Sequence, residues 1–131
     1  MLPGVLAPRT EAAYTLLRIV SGLMFAIHGL QKIVGVLTPA QPAVGSQLWI
    51  GGVIELIAGP LIALGALTPY AAFLASGTMA VAYAQFHWKG ALDQSFFPAV
   101  NKGELALLYA VLFFYIACRG GGRYSVDGRR K

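Results

Sequence analysis

Charged side chains are scarce in this sequence. Only 11% of the 131 residues are Asp, Glu, Lys or Arg, whereas 57% are hydrophobic. Soluble domains carry about 25% charged residues. So few charges cannot cover the surface of a soluble chain of this length. The composition therefore excludes an ordinary soluble domain and predicts an integral membrane protein.

Cysteine is also nearly absent, since the chain has one, Cys118. A single cysteine excludes an intrachain disulfide framework, a CxxC redox pair, a thiolate cluster and c-type haem attachment. The sequence also lacks a glycine-rich phosphate loop, a dinucleotide fingerprint and a nucleophile elbow. No complete cofactor or catalytic motif is left, and Cys118 is expected to pack or to be acylated at a membrane boundary.

Long apolar runs dominate instead. They predict a single domain over residues 1–131 with four membrane-spanning helices, at about 14–37, 47–67, 69–88 and 102–118. The first three approach the ~20 residues that a helix needs to cross the hydrocarbon core. The tight connection Leu-Thr-Pro-Tyr joins the second and third helices as a hairpin. We therefore predict an all-α fold, a membrane-spanning antiparallel four-helix bundle, with the lipid bilayer as its surroundings.

Basic residues set the expected topology. The net charge is +5, and most of the excess lies at the C-terminal end, from Arg119 to Lys131. By the positive-inside rule, both termini should face the cytoplasm, in a multi-pass protein of a bacterial or archaeal plasma membrane. Aromatic and basic residues do not alternate as in single-strand binders, so no nucleic-acid partner is expected. The basic residues at the ends are Arg9, Arg119, Arg123, Arg129, Arg130 and Lys131.

Ionisable residues inside the predicted spans fall at one depth. Counting from the span ends places Lys32, His28, Glu55, His87 and Glu104 in the outer half of the bundle, within about 10 Å in depth. Such residues are costly in a bilayer and are functional candidates by default. The cation Lys32 is expected to be paired with Glu55, Glu104 or both.

Helical spacing adds supporting residues. Arg18, His28 and Lys32 lie on one stripe of the first helix, and Arg18 is expected to extend toward the nearer membrane surface. Gly51 and Gly59 share a face with Glu55 on the second helix, where they are expected to let a neighbouring helix approach closely.

A structural interpretation stands beside each functional one. The Lys32 ion pair could serve only as a packing clamp. Glu104 follows Asn101 at the spacing of a helix capping box. His87 suits an interfacial belt, and His28 fits either a proton carrier or an interhelical hydrogen bond. A haem shared by both histidines is disfavoured because their depths differ by about two turns, and no ligand spacing supports a metal site.

Five separated pieces of the sequence follow one another in this order and together cover most of the chain: RIVSGLMFAIHGLQKIVG, GGVIELIAGPLIALG, MAVAY, NKGELALLYA and GGGRYSVD. As an ordered set they resemble the DoxX family of small four-helix membrane proteins. The matching polar positions are Arg18, His28, Lys32, Glu55, Asn101 and Glu104.

The resemblance implies an association with membrane redox systems. One branch of the family forms part of thiosulfate:quinone oxidoreductases, and others accompany oxidative-stress complexes or other oxidoreductases. Quinone is therefore the candidate ligand, with a small anion as the alternative, and a larger membrane complex or a homo-oligomer is the expected assembly. No catalytic residue is assigned.

Two hypotheses for the chemistry remain open. In the first, Lys32 polarises a quinone carbonyl or holds the anion, while Glu55 and His28 relay protons. In the second, the chain is a non-catalytic scaffold or accessory subunit. A small permease is weaker, because four spans make a narrow pore and no inverted repeat is visible.

Overall fold

Helices form all the regular secondary structure that the structure describes. The computed structural model describes residues 1–130, and Lys131, counted above among the basic ends, lies outside the described residues. No strand occurs in that range, so the all-α prediction is confirmed. The helices are α1 (Leu2–Leu6), α2 (Thr10–Ile33), α3 (Gln47–Leu64), α4 (Thr68–Ala82), α5 (Pro98–Asn101), α6 (Glu104–Arg119) and α7 (Val126–Arg129). A π-helix, Tyr83–Trp88, continues α4.

The four long helices pack in two pairs. α2 lies mainly against α3, and α4 lies mainly against α6. A further contact joins α3 to α4 across a tight turn. The backbones of different pairs lie farther apart than those within a pair, and the seam between the pairs holds the site described below.

Glycines let the backbones of α2 and α3 touch. A Cβ on Gly29 would lie 2.4 Å from the backbone nitrogen of Leu56, and one on Gly22 would lie 2.7 Å from the carbonyl oxygen of Gly59. A side chain at either position would have to displace backbone atoms, so only glycine permits this approach. The close approach predicted at Gly59 is confirmed.

The same prediction is wrong for Gly51. A Cβ there would meet no atom of the described chain within 4 Å. Its neighbour Gly52 faces α2 instead, where a Cβ would lie 2.7 Å from Cβ of Lys32. The four-residue steps that grouped Gly51 with Glu55 and Gly59 placed the first glycine one position before the true contact at Gly52.

Glycines also end two helices earlier than the apolar runs predict. α2 ends at Ile33 rather than at residue 37, and α3 ends at Leu64 rather than at residue 67. Gly35 and Gly65 follow them with φ of 82° and 69°, the left-handed conformation that closes a helix. The third predicted helix is α-helical only to Ala82, because a π-helix takes up the remaining residues.

The outer surface of the helices is largely apolar. Two segments, Leu2–Ile33 and Gln47–Leu64, are long and apolar enough to cross a membrane. α4 and α6, with 15 and 16 residues, are shorter than the ~20 residues of a typical span, so their crossing stays a prediction. Cys118 is free and exposed on α6, which contradicts a role in core packing. Other exposed apolar side chains include Leu16, Leu23, Phe73, Leu108 and Phe114.

Aromatic residues fill the seam below the site. Phe25 of α2 and Phe113 of α6 are fully buried, with ring centroids 4.8 Å apart. Tyr109 stacks on Phe113 with a centroid separation of 5.2 Å. The packing of these rings fixes the position of the Tyr109 hydroxyl group along the helix axes.

Candidate ligand-binding cavity

A buried ion pair joins α2 to α3. Nζ of Lys32 donates a hydrogen bond to Oε1 of Glu55 at 2.6 Å. The Glu55 side chain is 4% exposed and that of Lys32 is 29% exposed. The pairing predicted for Lys32 is thus confirmed with Glu55. Glu104 lies exposed in the first turn of α6 and takes no part in this pair.

A cavity of about 220 Å³ lies beside the ion pair. It occupies the seam between the α2–α3 pair and the α4–α6 pair, with aliphatic and aromatic residues filling the rest of its wall. The structure brings four of the predicted site residues to this one cavity. Its polar and charged lining residues are His28, Lys32, Glu55, His87, Lys102 and Tyr109.

Two buried polar atoms of the cavity residues have no hydrogen-bond partner within residues 1–130. They are Oε2 of Glu55 and the hydroxyl oxygen of Tyr109. The two residues are 3% and 4% exposed. An unsatisfied buried polar group costs about 1–3 kcal/mol, so both atoms favour a polar occupant of the cavity. One of them accepts hydrogen bonds and the other can donate one.

Tyr109 was missed by the reasoning from sequence. Its signal is the buried face of α6, where Ala106, Tyr109, Ala110 and Phe113 recur at three- and four-residue steps. A tyrosine on such a face needs a partner for its hydroxyl group. The overall apolarity of α6 concealed this pattern, because most residues on its other faces are apolar too.

The segment before α6 holds His87 at the cavity. Nδ1 of His87 lies 3.3 Å from the carbonyl oxygen of Asn101. The Asn101 side chain donates to Ser95 O at 3.0 Å and to the Tyr83 hydroxyl at 3.2 Å, and accepts from Gly103 N at 2.8 Å. Asn101 therefore fastens the connecting segment to the π-helix. This differs from the capping box predicted for Asn101 and Glu104, since no side chain of the described residues caps α6.

Arg18 lies at the other end of the helices. The residue is 1% exposed, so the prediction that it extends to the membrane surface is wrong. Its guanidinium donates to the carbonyl oxygens of Ile62 and Ala63, each at 2.6 Å, and to that of Tyr124 at 2.8 Å. The last carbonyls of α3 need partners because the helix ends there. Arg18 supplies them and binds the C-terminal segment at the same time.

The C-terminal segment is fastened to the turn between α3 and α4 by Asp127. Its carboxylate accepts hydrogen bonds from Leu67 N and Thr68 N, both at 2.9 Å, and from Thr68 Oγ1 at 2.7 Å. Burial alone would raise the pKa of Asp127, but the hydrogen bonds from Thr68 and Leu67 outweigh it and hold the pKa below the ordinary value of 3.8. Asp127 thus caps the start of α4 as a carboxylate.

The DoxX family model matches residues 13–88, more than half of the chain. The chain belongs to the DoxX family. It is also 42% identical over 117 residues to a protein of Haemophilus influenzae described as an uncharacterized protein, covering 86% of this chain and 87% of that one. No solved structure matches.

The DoxX match covers α2 from its fourth residue, all of α3 and α4, and the π-helix. It therefore contains Lys32, Glu55, His28 and His87, whereas Tyr109 and Lys102 come from the part of the chain that follows. DoxX is a membrane family, which agrees with the two long apolar helical segments. In the described part of this DoxX protein, no three His, Cys, Asp or Glu side chains come together as a metal site would need.

Proposed function

We propose that this DoxX protein binds the head group of a membrane-soluble quinone in the cavity, as a multi-pass subunit of a membrane redox system with both termini in the cytoplasm. The observation that carries the proposal is the unpaired Glu55 Oε2 and the unpaired Tyr109 hydroxyl, both buried at a cavity that also contains the Lys32 ammonium. Together they offer an acceptor, a neutral donor and a cation.

These groups complement both oxidation states of a quinone. A quinone carbonyl accepts hydrogen bonds, which Tyr109 and Lys32 can donate, whereas a quinol hydroxyl donates one, which Glu55 can accept. The cavity volume of about 220 Å³ supports a small head group. It is below the ~300–1,000 Å³ of sites for drug-sized ligands, so a macrocycle such as haem does not fit.

Proton transfer is the chemistry that this chain can supply. Reduction of a quinone to a quinol takes up two electrons and two protons. The electrons would come from a partner oxidoreductase, and the protons would pass through cavity residues. His28 and His87 are half-buried at the cavity wall, and an imidazole can donate a hydrogen bond from one ring nitrogen and accept one at the other, as a proton relay requires.

Binding of decylubiquinone and of a menaquinone analogue to the purified protein tests the proposal. Tyr109→Phe removes only the hydroxyl group and should weaken binding about fivefold to tenfold, the value of one hydrogen bond. Tyr115→Phe is the matched control, because Tyr115 is exposed on the same helix and does not line the cavity. Glu55→Gln should abolish quinone-dependent activity of the assembled complex. Equal binding by Tyr109→Phe, Tyr115→Phe and the unaltered protein would contradict the assignment.

A scaffold function is the second candidate, and the helix packing favours it. The glycine contact between α2 and α3 and the hydrogen bonds of the C-terminal segment stabilise the fold without a ligand. In this case a partner protein would co-purify in fixed stoichiometry without quinone, and Tyr109→Phe would leave the partner bound. Retained quinone that is lost in Glu55→Gln would argue against the scaffold.

A further inference from the structure

A second space also reaches the ion pair. It is a groove of about 250 Å³ between α3 and α4. Lys32 and Glu55 line both the groove and the cavity, so the two spaces meet at the ion pair. Otherwise the groove wall is mainly apolar, with Ile50, Ile54, Val81 and Phe86 among its residues.

Two glycines keep the groove open. A Cβ on Gly51 of α3 or on Gly77 of α4 would meet no atom within 4 Å among the described residues. Close helix packing explains Gly52 and Gly59, but it cannot explain these two. Glycine inside a helix is destabilising relative to alanine, so an open glycine calls for another reason. At Gly51 and Gly77 the missing side chains leave room along the groove.

We infer that the groove holds the hydrocarbon tail of the ligand whose head group binds in the cavity, an inference that rests on the proposed function. A molecule dissolved in the bilayer reaches a buried site from the side, between helices. An apolar tail needs no hydrogen bonds from its surroundings. Away from the ion pair, the polar side chains of the groove wall are Gln47, which is bonded to Gln85, and Thr78, which donates to the carbonyl oxygen of Leu74. The tail is as well solvated by lipid as by the groove, so the groove acts through shape and access rather than through hydrophobic affinity.

The groove fits this role better than the cleft between α2 and α6. That cleft, of about 440 Å³, is apolar and reaches Tyr109. Neither Lys32 nor Glu55 is among the residues that line it. A tail lying in that cleft would bring the head group to Tyr109 alone. A tail lying in the α3–α4 groove would bring it directly to Lys32 and Glu55.

Filling the groove tests the inference. Gly77→Leu and Gly51→Leu place an isobutyl group in open space, and both raise helix propensity. Ala80→Leu is the matched control, because Ala80 is exposed on α4 outside the groove. The probes are decylubiquinone and the same benzoquinone ring without its ten-carbon tail, each titrated against protein in lipid nanodiscs. Thermal unfolding of every variant shows whether it is folded. If Gly77→Leu does not fold, the binding comparison rests on Gly51→Leu.

We expect the groove variants to weaken the tailed probe about tenfold and to bind the tailless ring as the unaltered protein does. Ala80→Leu should change neither affinity. If the groove variants bind the tailed probe normally, the tail lies elsewhere, although head-group binding stands. An equal loss for both probes would also overturn the tail assignment, because leucine would then act on the head group. If the unaltered protein binds neither probe, the proposed function itself fails.

Discussion

Replacing Lys32 with methionine measures how far the buried carboxylate depends on its cation. Methionine keeps the unbranched side chain and removes the ammonium group. Glu55, with 4% of its side chain exposed, would then be a buried carboxylate with neither oxygen paired. Removing one partner of a buried ion pair costs about 3–5 kcal/mol, and we expect Lys32→Met to lower the free energy of unfolding by that amount.

The opposite change should cost less, because the two partners differ in exposure. Glu55→Gln leaves Lys32 with 29% of its side chain accessible, so the ammonium group keeps some contact with its surroundings. We expect a loss of about 1.5–3 kcal/mol, the value of one charged hydrogen bond. The double variant Lys32→Met with Glu55→Leu contains no buried charge and should approach the stability of the unaltered protein.

Chemical unfolding in mild detergent, followed by tryptophan fluorescence, measures all three variants. Equal losses for Lys32→Met and Glu55→Gln would refute the argument from exposure. A double variant as unstable as Lys32→Met would show that the stranded carboxylate is not the cause of the loss. Quinone binding by a stable double variant would show that the ion pair is only a packing clamp, since both charges proposed to hold the ligand are gone.

Four further substitutions leave the ion pair unchanged. Asp127→Asn should lower stability by about 1 kcal/mol at neutral pH through loss of a charged helix cap, measured by thermal unfolding. The pKa of Asp127 is lowered in the folded protein, so its contribution to the free energy of unfolding is present above about pH 4 and is lost as the pH falls further. The stability of the Asn variant should change less across that range. Gly29→Ala should cost about 1–3 kcal/mol by forcing α2 from α3, while Gly51→Ala should be neutral or stabilising; equal effects would refute the backbone contact. Arg18→Gln should destabilise the protein by about 3 kcal/mol or more and expose the C-terminal segment to protease, because it leaves buried carbonyl groups unpaired.

Composition and helical spacing were enough to predict the long helices and the main ion pair. An apolar chain in a bilayer must form hydrogen bonds among its own backbone groups, and a helix does so within a single segment. Lys32 and Glu55 were identified because an ionisable residue in an apolar run requires a partner, and few partners are available. His28 and His87 followed from their depth along the helices, and the structure places both at the same cavity.

Contacts between distant segments could not be predicted in the same way. Arg18 looked like a residue near a helix end, and nothing in its own helix indicates that the carbonyl groups of α3 lie within reach. Tyr109 has one polar atom in an apolar helix, which hydropathy counts as favourable. Gly51 and Gly52 are adjacent, so a small error in helix rotation exchanged the packed glycine for the open one.

The two ends of the helix pairs are held together unequally. At one end, Arg18, Asp127 and an ion pair between Glu11 and Arg119 tie the C-terminal segment to the ends of the long helices. Lys32 follows Arg18 by 14 positions on α2, which places the cavity about 21 Å along the helix from that fastening. The two helix pairs are therefore joined at the Arg18 end. A small rotation of one pair about that end would separate the pairs most at the cavity. We expect backbone amides near the cavity to exchange with solvent faster than those near Arg18, and ligand to slow that exchange.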